Sequence, residues 1–347
     1  MDSPSQDKIL IVKLAALGDV LVSSPFPRLM KIKFPNLVIH HLVMDHCSDI
    51  TKNNPYIDKQ IIIKAFPSSN KFLDILRLFS IWNKIRKEKY NTAIIFHRSF
   101  FIHFLCKVSG IKYLYGFKSN YINLLNNSIE YTININRTVQ ERNLLIESGY
   151  LIDEIDHLDY YPDENFSNKE VLSLIPDFYY TCNPGGGNLH SPADNRMWPI
   201  EYYAELINAL DFKCVILGHG DSDVTLVKKL KLLIEDKAKL IDLVGMTSIS
   251  DTAYLLKNSI FYIGNDSSLI FLAAALDVQT IGLYGPTQSW AASPAGGRHF
   301  SIPSTSNCSP CYNPLDGLDG KMYKCSNNIC MKSIKPDSVI AIATRML

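Results

Sequence analysis

The chain has 347 residues, 47% of them hydrophobic and 20% charged, with a formal net charge of +1. That length allows two ordinary domains with separate cores, and the balance excludes a disordered polyelectrolyte and gives no reason to expect a nucleic-acid partner. No uninterrupted apolar run approaches a membrane span, and the polar start Met1-Asp-Ser-Pro lacks the layout of an export signal, so a cytoplasmic protein is expected, with any membrane contact peripheral at the inner face.

The charge is unevenly spread. Residues 1–130 hold 18 Lys/Arg against 9 Asp/Glu, and residues 131–347 hold 17 against 25. The front half therefore suits something anionic, a phosphorylated acceptor or lipid headgroups, or it carries Lys-rich solvated helices. Eight cysteines in a cytosolic chain read as buried thiols or metal ligands rather than as a disulfide framework.

In chain order, residues 9–12 form a short apolar strand, and a loop ending in Gly18-Asp19 leads into a helix that runs to about residue 34. Asp19 either caps that helix or, at the carboxyl end of a first strand, faces a ligand crevice. Strands follow at 38–43 and 60–63, a helix at 72–89, and a strand at 92–96 that ends in His97-Arg98, before a helix at 100–110. His97 and Arg98 suit an acceptor phosphate or carboxylate, or His97 is a surface histidine satisfied by water. This alternation predicts a mainly parallel sheet covered on both faces. The pattern lapses over the acidic stretch 152–177, which reads as a linker.

A second alternating series begins with a strand at 178–183 and the glycine-rich Pro184-Gly-Gly-Gly187, a loop with room for phosphate. After the insertion 188–195 come Arg196-Met-Trp-Pro199, a helix at 200–210, a strand at 213–217, and Gly218-His-Gly-Asp-Ser-Asp223, which has two glycines of a dinucleotide fingerprint but no third. A short strand at 240–243 leads to Gly245-Met246-Thr247. A buried strand at 259–263 then runs through Gly264, Asp266, Ser267 and Ser268 into a helix at 269–276, and a strand at 279–284 empties into Gly285-Pro-Thr287. The uncovered N–H groups at the start of that helix favour an anion, typically phosphate, or the helix is an ordinary capped one in an α/β core. The expected domains are 1–165, 166–333 with a cysteine-rich loop at 303–333, and a terminal helix, 334–347, turning back toward the first domain.

Taken together, Lys13-Leu-Ala-Ala-Leu-Gly-Asp-Val20, Arg196-Met-Trp-Pro199, Gly245-Met-Thr-Ser-Ile249, Asp266-Ser-Ser-Leu-Ile-Phe271, Tyr284-Gly-Pro-Thr287 and the cysteine-rich tail with Ile334-Lys-Pro-Asp337 fall in one order over nearly the full length. In this the chain resembles glycosyltransferase family nine, the heptosyltransferases of the lipopolysaccharide core. The resemblance implies a GT-B fold of class α/β, two doubly wound Rossmann-like domains facing across a cleft. It implies an inverting transfer from a nucleotide-sugar, ADP-heptose in known members, to an anionic glycan or lipopolysaccharide-core acceptor, with no catalytic metal. By the same resemblance Asp19 is the general base, a role that suits a partly desolvated carboxylate. Arg196 sits at the donor diphosphate, where a cation offsets the charge building on departing ADP. Gly186, Gly187, Asp223, Met246, Asp266, Ser267, Ser268 and Phe271 line the donor, and Lys13, His97 and Arg98 the acceptor. Ser268 and Phe271 stand where the family usually has Gly and His, which narrows the approach to the phosphates and removes a polar contact.

Cys308, Cys311, Cys325 and Cys330 have the spacing of two thiol pairs that wrap one Zn or Fe. One branch of the family, which modifies autotransporter proteins, is similar in carrying a four-cysteine iron site. A protein acceptor with such a structural metal is therefore the second reading. A GT-B subunit that binds without turnover is the third, and Ser268 and Phe271 favour it.

Overall fold

The structure, a computed structural model, describes residues 8–14, 16–64, 71–119, 121–163, 166–186 and 194–347. It divides into two units, the first comprising residues up to Thr132 with Arg137–Ile155, the second Ile133–Asn136 with Asp156–Leu347.

The first unit is built on β1 (Lys8–Val12), β2 (Val38–Met44), β3 (Lys59–Ile63), β4 (Thr92–Ile95), β5 (Tyr113–Phe117) and β6 (Asn127–Ile129), in the order β3-β2-β1-β4-β5-β6. Every pairing is parallel. Parallel strands joined by helical crossovers are covered on both faces, so their sequences are apolar at successive positions. In β1, Leu10 and Val12 enter one core with Leu42, Ala93 and Ile95, while Ile9 and Ile11 enter the other with Ile39, Ile94 and Phe117.

The second unit repeats the plan with β7 (Tyr179–Asn183), β8 (Lys213–Ile216), β9 (Leu240–Asp242), β10 (Tyr262–Asn265), β11 (Thr280–Tyr284) and β12 (His299–Pro303), in the order β12-β11-β10-β7-β8-β9, again all parallel. In each sheet the strand order reverses once, between β1 and β4 and between β7 and β10. A doubly wound sheet binds its ligand outside the carboxyl ends of the strands at that reversal.

Three expectations change. The segment 156–163 joins the second unit, where the sequence reading set the boundary at 165; Leu158 and Tyr160 are buried, and Asp163 N–H donates to Ser250. The terminal helix Pro336–Thr344, expected to turn toward the first domain, sends Val339 and Ala343 into the second unit's core beside Trp198 and Leu206. Its apolar side is satisfied there. The strand β12 was not foreseen: with only half-buried and exposed positions along it, it lacks the apolar run that marks an inner strand.

Candidate active site

In the first unit the chain leaves β1 at Lys13 and enters the helix Leu17–Val22, with Asp19 in its first turn. The Asp19 side chain is 35% exposed, and Oδ1 lies 3.6 Å from Nη1 of Arg137. Arg137 opens the helix Arg137–Glu147, and one turn on, the same helix presents Glu141, whose Oε1 accepts from Lys13 Nζ at 2.5 Å. Both members of that second pair are buried. Burial raises Glu141 to about 7 even against the charge of Lys13. Burial pulls Lys13 down, but Glu141 and Asp19 outweigh it and hold the ammonium above its ordinary value. Below Asp19 there is thus a fixed cation, locked by a carboxylate.

Lys13 is therefore engaged inside the unit and not presented to an acceptor. His97, expected at the surface or on an acceptor anion, instead accepts the Leu14 backbone N–H through Nε2 at 2.6 Å, and burial with the nearby Lys13 charge lowers its pKa to about 3. A neutral ring pinning the β1 loop to the end of β4 brings no positive charge to an acceptor anion. Arg98 lies over the ring of Tyr131, 5.3 Å from its centroid, and the hydroxyl of that tyrosine feels the charges of both Arg137 and Asp19.

In the second unit, Arg196 ends the short turn Asp194–Arg196. Its Nη1 is 3.4 Å from the carbonyl of Asp266 and 3.7 Å from Asp266 Oδ2, and its Nε is buried with no hydrogen bond among the described residues. Asp266 and Ser267 lie between β10 and the helix Ser268–Ala275. Ser267 is extended at the N-cap and makes no capping bond, which leaves the first-turn N–H groups of that helix uncapped by a side chain. The glycine loop closes on the same spot: Gly186 has φ +120°, and a Cβ there would come 2.9 Å from Ser267 Cβ. The arrangement of one guanidinium, a set of uncapped amides and a glycine loop is that of a phosphate seat. Gly187 and the insertion 188–193 lie outside the described residues.

The seat is held by groups that sequence spacing does not reveal. Asn265, at the end of β10, donates to the carbonyls of Pro184 and Gly185 (2.9 Å each) and accepts from Trp198 N–H at 2.9 Å, joining glycine loop, strand end and Arg196 segment. The cysteine-rich tail grips that segment too: Asn195 Nδ2 donates to the carbonyls of Met322 and Cys325, Asn328 Nδ2 to Met197, and Trp198 Nε1 to Ile334. Asp223, expected near the ribose, is turned beneath the glycine loop. It accepts from His219 N–H and Asn183 Nδ2, and a side chain at Gly185 would collide with its carboxylate. It braces the loop. Met246 is exposed on a turn tied back to Gly218 through Gly245 N–H. Ser268 is half-buried in the first turn, and Phe271 is buried.

The four tail cysteines do not form the expected metal site. They are near enough for their charges to be felt mutually at Cys311 and Cys330, but among the described residues no three metal-binding side chains converge. Instead Cys330 is buried in the core next to Met331, Cys311 N–H donates to the Pro286 carbonyl, and Ser309 donates to Gly285. The tail buttresses the Gly285-Pro-Thr287 loop by ordinary packing and hydrogen bonds.

The family model for glycosyltransferase family 9 (heptosyltransferase) matches residues 78–321. The chain belongs to that family. It is a glycosyltransferase of the GT-B fold. Lipooligosaccharide heptosyltransferase 2 of Haemophilus ducreyi is 25% identical over 301 residues, covering 81% of this chain and 84% of that protein. In fold, the chain is similar to a family 9 glycosyltransferase from Veillonella parvula (TM-score 0.84, 18% identity, 99% of this chain and 98% of that one). An Escherichia coli heptosyltransferase solved with ADP gives a TM-score of 0.72 at 18% identity, over 98% of this chain and 100% of that one. Among the described residues of this family member, no helix is long and apolar enough to cross a membrane.

Proposed function

We propose that this family 9 enzyme transfers heptose, with inversion, from ADP-heptose to a lipopolysaccharide-core acceptor. The observation that carries the reading is the seat at the end of β10, where Arg196 and the uncapped amides of Ser268–Ala275 meet the glycine loop. The relatives named for lipooligosaccharide heptose transfer and the fold solved with ADP support the same donor and acceptor classes.

In this scheme an acceptor hydroxyl attacks the anomeric carbon as the bond to the diphosphate oxygen breaks. Asp19 takes the hydroxyl proton, and ADP leaves carrying the electron pair of the broken bond. Arg196 and the helix amides stabilise the negative charge that grows on the diphosphate, so no metal ion is needed for that step. Arg137 holds the Asp19 carboxylate in place, and the buried Lys13–Glu141 pair sets the field behind it.

Thermal shift with nucleotide-sugars, combined with a transfer assay, tests this. ADP-heptose raises the melting temperature more than UDP- or GDP-sugars, and Asp19→Asn keeps that shift while turnover falls about 10²- to 10⁴-fold. Equal shifts from all three nucleotides would remove the donor; undiminished turnover in Asp19→Asn would remove the base.

A further inference from the structure

The first unit carries an exposed apolar face with no counterpart in its own core. On the helix Lys71–Glu88, Ile75, Leu76 and Phe79 are exposed, Ile75 by 64% and Phe79 by 62%. On the helix Phe100–Val108, Phe101, Phe104 and Val108 project at i, i+3 and i+7, while Ile102, Leu105 and Cys106 point into the core. Tyr121 and Ile122 continue the face at 76% and 74% exposure.

These side chains form one patch. Phe79 packs on Trp82 with ring centroids 5.4 Å apart, and Trp82 Nε1 donates to the Val108 carbonyl, which joins the two helices. Phe100 stacks with Phe104 and meets Tyr121 at 5.9 Å, which joins the second helix to the loop. Solitary exposed apolar residues are ordinary, but a contiguous set of this size marks an interaction surface.

The charge around the patch selects the partner. Residues 71–122 contain ten Lys/Arg and two Asp/Glu. Arg86 lies over Trp82 and Lys112 over Tyr113, at 5.1 and 4.9 Å from the ring centroids, and Lys107 is exposed in the last turn of the helix Phe100–Val108. An aromatic and aliphatic centre with a cationic rim matches a leaflet that offers acyl chains beneath anionic headgroups. A second copy of the chain placed symmetrically on this face would bring cations against cations, which disfavours a dimer.

We propose that this face docks the enzyme on a bilayer containing anionic lipid. The idea extends the reading of a lipid-linked acceptor, but vesicle binding is measured with neither donor nor acceptor present, so the two stand or fall separately. The full chain is to be floated with phosphatidylglycerol-containing vesicles and with phosphatidylcholine vesicles. Wild type binds the first and not the second. Phe79→Ser/Phe104→Ser and, independently, Lys107→Glu/Lys112→Glu each lower the bound fraction about tenfold or more. Both pairs are exposed, and an unchanged circular-dichroism spectrum and melting temperature without ligand check that each variant is folded. Undiminished binding by the phenylalanine pair would overturn the proposal. So would equal wild-type binding to both vesicle types, or light scattering that shows a wild-type dimer dissociated by the phenylalanine pair.

Discussion

The two units have the same strand order, yet the buried polar groups at their switch points are arranged differently. At the end of β1, Lys13 and Glu141 close on each other at 2.5 Å and His97 closes on the Leu14 N–H, so the buried cation is paired within the unit, with Glu141 Oε2 left buried without a hydrogen bond among the described residues. At the ends of β7 and β10, Asn265 ties the loops together, but Arg196 Nε and Asn183 Oδ1 are buried without hydrogen bonds among the described residues. Nearby on the next loop Thr287 Oγ1 is the same. Such groups are costly in an interior and are a mark of a ligand seat. In the proposed mechanism the first switch point holds a base steady and the second meets charge brought from outside.

The sharpest way to break that contrast is to remove one partner of the first unit's pair. Glu141→Leu leaves the Lys13 ammonium buried without its hydrogen-bonded carboxylate, and we expect a loss of about 3–5 kcal/mol in chemical denaturation. Adding Lys13→Met to the same chain should restore most of it, because the pair as a whole must overcome its own desolvation. If Glu141→Leu alone costs under about 1 kcal/mol, the first site is not self-contained in the sense argued.

The second unit should respond in activity and not in stability. Arg196→Ala is expected to lower kcat/KM for the donor roughly 10²- to 10³-fold while denaturation midpoints hold. Arg196→Lys should recover only part, since an ammonium keeps the charge without the planar fork. A large stability loss in Arg196→Ala would mean that its contacts with Asp266 serve the fold first.

Much of this contrast could be read from the sequence, and the reason is local. Asp19 after β1, and Asp266-Ser267 after β10, are chemistry placed directly at a strand end, where a doubly wound sheet puts its ligands. Arg137 and Glu141 were missed because they reach Lys13 and Asp19 from more than 110 residues away; only their four-residue spacing on one helix hinted at a shared face. Asn265, two residues past the expected strand 259–263, was given no role. Asp223 and His97 were misjudged for one reason. A polar residue at a strand end serves either a ligand or a neighbouring backbone N–H, and only coordinates show that these two accept from His219 and Leu14. The cysteine spacing suggested an ion, while in the fold Cys330 is buried with Met331 and the neighbouring asparagines grip the Arg196 segment.

The gentlest test uses pH. In the first unit, burial pulls His41 to about 4 and His97 to about 3, the nearby Lys13 charge adding to both, and lowers His40 and His103 as well; in the second unit, burial pulls His299 to about 4. For each, the unfolded chain takes up a proton near pH 6.5 before the folded one does. The stability is therefore complete above about pH 6.5 and drains away as pH falls toward 4, at about 1.4 kcal/mol per pH unit for each proton of difference. Glu141 has the opposite sign: raised to about 7 by burial, it is penalised when ionised, and acidification relieves it. That sets four imidazoles against one carboxyl in the first unit, and one imidazole in the second, where Asp223, raised by burial, also acts in the opposite sense. Hydrogen exchange read peptide by peptide between pH 6.5 and 4.5 should therefore show the first unit loosening well before the second. Equal loosening of both would mean that the buried imidazoles of the first unit do not govern its acid stability.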